Sequence, residues 1–171
     1  MVRVLLIHPP LTNKERFARG AKASASFIPQ LGLAYLASYL QKHHHKCRII
    51  DGLVTPLSLE EICHIANEYD VVGITVVSSY ALRAIELIRH LKEKCPETLI
   101  VVGGPHVTTL PESMLKYGAD FAIIGEGEAT FLELVEKLAA DNGGLENVKG
   151  IGFMNGGRFV STGRRPLIDC L

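Results

Sequence analysis

The chain has 171 residues, 47% of them hydrophobic, and its 18 basic residues balance 18 acidic ones. Against roughly 150 residues for a typical domain, this is one domain with a small appendage, and the apolar share supports a full core and excludes disorder. Zero net charge removes the footprint of a nucleic-acid or anionic-membrane binder.

The apolar runs reach strand length only, short of the ~20 residues of a membrane span. Val4–Ile7 is too brief for a signal peptide, so a soluble, cytoplasmic protein is expected. Cys47, Cys63, Cys95 and Cys170 are scattered with no C-x-x-C pair, which speaks against a disulfide framework, a zinc site or an iron–sulfur site in this segment.

Val4–His8 is a continuous, partly β-branched apolar run and reads as a strand buried on both faces, stopped by Pro9-Pro10. Residues 11–29 lack a sustained apolar period and carry Lys14, Arg16, Arg19 and Lys22, the pattern of a loop or flap. Leu31, Ala34, Leu36, Ala37 and Leu40 recur at helical spacing and predict a helix over 31–42 with Pro29 just outside it. His43-His44-His45 then closes that helix. Consecutive helical residues point about 100° apart and cannot converge on one ion, whereas cations suit a helix C-terminus.

Arg48–Asp51 is a short, more polar second strand suited to an edge. Ser58-Leu59-Glu60-Glu61 is a capping box for a helix that buries Leu59, Ile62, Cys63 and Ala66. Val71–Val77, the most β-branched stretch, is the expected central strand. A helix over 79–94 follows, burying Ala81, Ala84, Ile85, Ile88 and Leu91 and ended by Pro96. Leu99–Val102 is the fourth strand, Thr109-x-x-Glu112 the expected cap of the next helix with Pro111 in its first turn, and Phe121–Ile124 the fifth strand. Phe131, Leu134, Val135 and Leu138 mark a last helix whose positive end Glu126 and Glu128 favour. Beyond Asn142 the period changes: Ile151–Met154, Asn155-Gly156-Gly157 and Arg158–Ser161 predict a hairpin. The expected organisation is a domain over 1–142 and a small separate unit over 143–171.

Strands alternating with helices imply an α/β fold, a flavodoxin-like (Rossmann-like) doubly wound five-stranded parallel sheet of order 2-1-3-4-5 with a C-terminal β-hairpin. Its switch point places a ligand crevice between the His8-Pro9-Pro10 and Thr75–Ser79 loops, beside Gly103-Gly104. A phospho-receiver needs acidic residues where this chain has His8-Pro9-Pro10 and Thr75-Val76. A flavin-phosphate loop needs N–H groups that two prolines remove. No G-x-G-x-x-G follows the first strand, and Gly125-x-Gly127 is only a fragment of one. Hydroxyls at Thr75, Ser78 and Ser79 and bare backbone at Gly103-Gly104 suit a large, amide-bearing ligand.

Several motifs in order carry a resemblance: Ile7-His8-Pro9-Pro10, Pro29-Gln30-Leu31-Gly32-Leu33-Ala34-Tyr35-Leu36-Ala37, Ile49-Ile50-Asp51 and Val72-Gly73-Ile74-Thr75. Val102-Gly103-Gly104-Pro105-His106-Val107-Thr108, Gly125-Glu126-Gly127-Glu128-Ala129-Thr130-Phe131 and the stretch Gly150–Asp169 complete the set. The chain resembles, over nearly its whole length, the cobalamin-binding domain that precedes the radical S-adenosylmethionine (SAM) domain of many Fe–S methyltransferases and related oxidoreductases. The resemblance implies cobalamin as cofactor, with Thr75-Val76-Val77 at the family's Ser-x-Leu position and Gly103-Gly104 at its glycine pair, both lining a slot for the dimethylbenzimidazole tail. The implied binding set is Pro9, Pro10, Thr75, Val77, Ser78, Gly103, Gly104, Pro105, His106, Gly125, Glu126 and Gly127.

A tight turn needing positive φ is the alternative reading of the glycines. The D-x-H-x-x-G loop of the cobalt-ligating group is absent, so a base-off cofactor without His8 or His106 on cobalt is implied. No C-x3-C-x2-C motif occurs; a [4Fe-4S] cluster and SAM belong to a catalytic partner domain, in cis or in trans, and no catalytic residue is assigned in this fragment or free-standing subunit. A docking domain with an empty slot and a nucleotide-binding regulatory module remain open as alternatives.

Overall fold

The computed structural model describes residues 1–11, 30–55, 57–140 and 143–168; the expected flap beyond Leu11 lies outside the described residues. Five strands, β1 (Arg3–His8), β2 (Lys46–Asp51), β3 (Val71–Thr75), β4 (Leu99–Gly103) and β5 (Phe121–Ile123), pair in parallel in the order 2-1-3-4-5. Between them run α1 (Leu31–Lys42), α2 (Leu59–Ala66), α3 (Ala81–Lys94), the short α4 (Pro105–Thr109) and α5 (Glu112–Leu115), followed after β5 by α6 (Glu128–Ala140). The hairpin forms as β6 (Ile151–Asn155) and β7 (Arg158–Ser161) around Asn155-Gly156-Gly157.

The hairpin does not stand apart. β6 pairs antiparallel with β5, making one seven-stranded sheet, and Val148 and Ile151 are fully buried in the core. The three-residue β5 would otherwise expose a row of unpaired backbone groups, and the hairpin covers that edge. β2 is the opposite edge, as its polar composition predicts.

Side-chain alternation along the strands builds two cores. Leu5, Ile7, Val72, Ile74, Ile100 and Val102 pack under α2 and α3, while Val4, Leu6, Val71, Val101 and Ile123 pack under α1 and α6. Leu5, Leu6 and Ile7 are fully buried on one strand, each contributing about 1.5–3 kcal/mol of burial. The buried stripe of α1 is Leu33, Ala37 and Leu40, leaving Leu31 and Ala34 exposed. The expected stripe is thus correct in period but partly displaced in phase.

The Ser58 capping box is present, with Glu61 N–H donating to Ser58 Oγ at 3.2 Å and Ser58 N–H to the Glu61 carboxylate at 2.8 Å. The Thr109 box is not. Pro105 starts α4 earlier than expected, so Thr109 falls in its last turn and its hydroxyl donates to the Pro105 carbonyl at 3.0 Å; Pro111 occupies the N-cap of α5 without a side-chain cap. Strand β3 stops at Thr75, and a 3-10 turn over Ser78–Tyr80 precedes α3, which starts at Ala81. The three histidines after α1 diverge: His43 caps the helix, His44 takes φ 65°, and His45 Nδ1 accepts from Val2 N–H at 3.3 Å. Among the described residues no His/Cys/Asp/Glu group could hold a metal ion, and no helix is long and apolar enough to cross a membrane.

Candidate functional site

The site is a slot over the sheet. Leu6, Gly73 and Val101 face one another across β1, β3 and β4, and the absence of a side chain at Gly73 lets Leu6 and the Phe131 ring close in over that strand. A Cβ at Gly73 would lie 2.8 Å from Leu6 Cδ2 and 3.2 Å from Phe131 Cε2. Two residues further toward the strand ends, Thr75 pairs with Gly103, so the next row is also shallow. Beside these rows, between α1 and α6, lies a cavity of about 210 Å³. Its walls are Leu6, Leu33, Leu36, Val101, Ile123 and Phe131. Gly32, Gly73, Ile74, Thr75, Val102, Gly103, Gly104, Gly125, Glu126, Gly127 and Glu128 complete it.

Six of the twelve residues singled out in the sequence therefore line the cavity: Thr75, Gly103, Gly104, Gly125, Glu126 and Gly127. Pro9, Pro10, Val77, Ser78, Pro105 and His106 do not. Pro10 packs on Gly52, where a Cβ would meet Pro10 Cα at 2.5 Å. Pro105 is the exposed first residue of α4, and Val77 precedes the 3-10 turn.

Ser78 and His106 form a chain that ties the β3 loop to the β4 loop. Ser113 Oγ donates to the Leu110 carbonyl at 2.6 Å, so at its 3.2 Å contact with His106 it accepts from Nε2–H. His106 Nδ1 is then the acceptor for the Ser78 hydroxyl at 3.0 Å. Both ring nitrogens are used within the protein. Backbone bonds reinforce the tie: Val76 N–H to Gly103 O at 2.8 Å and His106 N–H to Val76 O at 3.1 Å.

Gly104 serves this junction. Its φ is 97° and ψ −178°, and a Cβ would lie 2.9 Å from Val76 O and 3.0 Å from Thr75 Oγ1. The close approach expected at the glycine pair is thus, at Gly104, an approach to the neighbouring loop, and its positive φ is the turn geometry only glycine tolerates. At Gly103 a Cβ would meet only Ile123 Cβ at an ordinary 3.6 Å.

The Gly125–Gly127 loop is held from two sides. Gly125 N–H donates to Thr108 Oγ1 at 3.1 Å, and the Glu126 carboxylate accepts from Ile168 N–H at 2.7 Å. Glu126 thus anchors the C-terminal strap, and only Glu128 lies in the first turn of α6. The strap is held further back by Arg165, which donates to Thr130 Oγ1 at 3.0 Å and pairs with Glu133.

His8 is 2% exposed, with Nδ1 3.1 Å from Pro9 O and its ring edge-on to Tyr80. Burial pushes its pKa below the usual imidazole value, against the pull of Asp51. Gly32, Gly73, Ile74, Val102, Glu128 and the six apolar wall residues were not among the binding residues expected from sequence. The two glycines carried a signal, since glycine inside a helix or strand pattern marks close approach or absent packing. The wall residues carried none beyond the periodicity of ordinary core.

A family profile described as B12 binding domain matches residues 21–135. An uncharacterized methyltransferase of Pyrococcus horikoshii is 34% identical over 99% of this chain and 36% of its own length. The anaerobic magnesium-protoporphyrin IX monomethyl ester cyclase of Cereibacter sphaeroides is 29% identical over 98% of the chain and 28% of its own. The chain thus spans about a third of these relatives. Among solved structures, the cobalamin-dependent SAM radical enzyme OxsB, with aqua-cobalamin and SAM bound, superposes with TM-score 0.79 at 22% identity, over 98% of this chain and 23% of that one.

Proposed function

The chain belongs to the B12-binding domain family, and on that premise we propose that it holds base-off cobalamin, with the lower-base end of the cofactor in the cavity between α1 and α6. The observation that carries this reading is the apolar cavity that Gly73 and Phe131 help line, a slot at the C-terminal ends of parallel strands, where α/β folds take ligands. The residues present fit the group. Leu33, Val101, Ile123 and Phe131 offer flat apolar walls for an aromatic base, and the Thr75 hydroxyl, without a hydrogen-bond partner among the described residues, can donate to its one free ring nitrogen. His106 has both ring nitrogens engaged by Ser78 and Ser113, and His8 is buried with Nδ1 at Pro9 O, which favours a cofactor without a protein histidine on cobalt.

When bound, cobalamin supplies a cobalt centre for methyl transfer or related group transfer. The chain's own residues bind, orient and shield. The walls exclude water from the slot, the Ser78–His106–Ser113 chain and the Gly104 junction hold two strand-end loops in register, and Glu126 fixes the loop before α6. Among the described cavity residues none is paired as an acid–base couple, which supports placing catalysis on a partner. We assign that role to a radical SAM domain, in cis or in trans, which carries the [4Fe-4S] cluster and SAM of a methyltransferase or related Fe–S oxidoreductase. A cytoplasmic setting accords with that chemistry.

An empty docking domain would have no use for an apolar slot of about 210 Å³ at the strand ends. For a nucleotide-binding module, Glu126 and Glu128 put negative charge in the lining where a phosphate would have to sit. The test is incubation of the chain with hydroxocobalamin, desalting and an ultraviolet–visible spectrum. Corrin absorbance retained near one equivalent is expected; a colourless protein would overturn the reading.

A further inference from the structure

We propose that this cavity selects among corrinoids by their lower base, taking a methylated benzimidazole in preference to adenine. The inference rests on the cobalamin reading above and concerns which cobamide the same site accepts.

The floor and walls decide it. Leu6, Leu33, Val101, Ile123 and Phe131 bring no polar side-chain atom, and Gly73 belongs to a strand paired on both sides, which commits its backbone groups to the sheet. The carboxylates of Glu126 and Glu128 belong to the loop and helix turn beyond the last residue of β5, above the Leu6–Gly73–Val101 row. Glu126 is moreover engaged by Ile168 N–H. Among the described residues this leaves one side-chain hydrogen-bond donor in the lining, the hydroxyl of Thr75.

A benzimidazole released from cobalt has one ring nitrogen to satisfy, and one hydroxyl meets that need. Adenine attached through an imidazole nitrogen presents three ring acceptors and an amino group with two donors, more than the single side-chain hydroxyl of the lining can pair. A buried polar group left unpaired weakens binding by about tenfold or more. Each methyl of the dimethylated base that enters the apolar slot strengthens it by roughly fourfold. Together these effects give a preference on the order of 100-fold for the dimethylbenzimidazolyl form.

The experiment titrates the chain with the dicyano forms of cobalamin, adeninylcobamide and cobinamide, so that the lower base is already free of cobalt in every nucleotide-bearing probe. Dissociation constants are read from corrin absorbance and from retention on desalting. Cobalamin is expected to bind tightest, and adeninylcobamide on the order of 100-fold more weakly, near cobinamide, which has no base. Val101→Thr, which places a hydroxyl on the wall at similar volume, should narrow the ratio in a variant shown to be folded by its thermal melt. Thr75→Val should weaken cobalamin by about tenfold and leave cobinamide unchanged. Equal or tighter binding of adeninylcobamide would overturn the selectivity. Equal binding of cobalamin and cobinamide would overturn the placement of the base while leaving corrin binding intact. Retention of no corrinoid at all would instead overturn the reading on which the inference rests.

Discussion

Gly73→Ala is the sharpest perturbation of the site, because the added methyl meets Leu6 Cδ2 at 2.8 Å and the Phe131 ring at 3.2 and 3.3 Å. Leu6 is fully buried and Phe131 is 2% exposed, so neither can retreat into solvent. The open space beside them is the cavity of about 210 Å³, which both side chains line. Overpacking a core costs about 1–3 kcal/mol, and replacing a strand glycine returns about 0.5–1 kcal/mol of backbone entropy, for a net loss of roughly 0–2 kcal/mol. In a protein of this size that lowers Tm by about 0–8 °C. The variant therefore folds, yet the slot is narrowed by the methyl and by the displaced ring, and cobalamin affinity should fall at least about tenfold. A thermal melt and a corrin titration of parent and variant separate the two effects. Unchanged affinity in a folded Gly73→Ala protein would refute the placement of the base over β3.

Gly104→Val should show the opposite balance: its backbone stays at a φ of 97° while the new side chain presses on Val76 O, so stability falls by more than the ~1–3 kcal/mol of backbone strain alone. A Tm within 2 °C of the parent would contradict that, with the bound drawn from about 2–4 °C per kcal/mol. His8, whose pKa is depressed by burial, stabilises the fold in its neutral form; the unfolded chain binds the proton more readily. Stability is therefore full above the ordinary imidazole value and falls as pH drops below it, until the folded state also titrates. Comparing Tm against pH for the parent and His8→Gln isolates this residue from His45, which is depressed in the same direction; parallel curves would remove His8 from the account. Glu126→Gln should loosen the strap at Ile168, seen as faster amide exchange there with Tm little changed. Unchanged exchange would show that the carboxylate does not hold it.

Elements governed by local chemistry were legible in the sequence. The Ser58–Glu61 box, the Pro9-Pro10 stop and the Asn155-Gly156-Gly157 turn follow from residue types at fixed spacing, the strand order follows from the alternation of strands with helices, and all four are present. What the sequence did not show depends on long-range geometry. The pairing of β6 with β5 is an edge being covered, which no local pattern encodes. The Thr109 box failed because an equally local signal, Pro105 after Gly104, started a helix first. At the cavity, only half of the twelve expected residues are in the lining and none of its apolar walls was expected, since Leu33 or Ile123 looks the same in sequence whether it faces a core or a cavity. His106 was placed correctly at the strand ends, but its two hydroxyl partners, Ser78 and Ser113, are set by tertiary contact.

The central claim, base-off cobalamin held by this chain without a protein histidine on cobalt, is tested most directly by one electron paramagnetic resonance spectrum. The protein is loaded with cob(II)alamin and freed of excess corrinoid before freezing. The account predicts a bound cob(II)alamin signal without superhyperfine splitting from an axial nitrogen. Triplet splitting from a coordinated nitrogen, or the absence of any protein-bound cob(II)alamin signal, would contradict it.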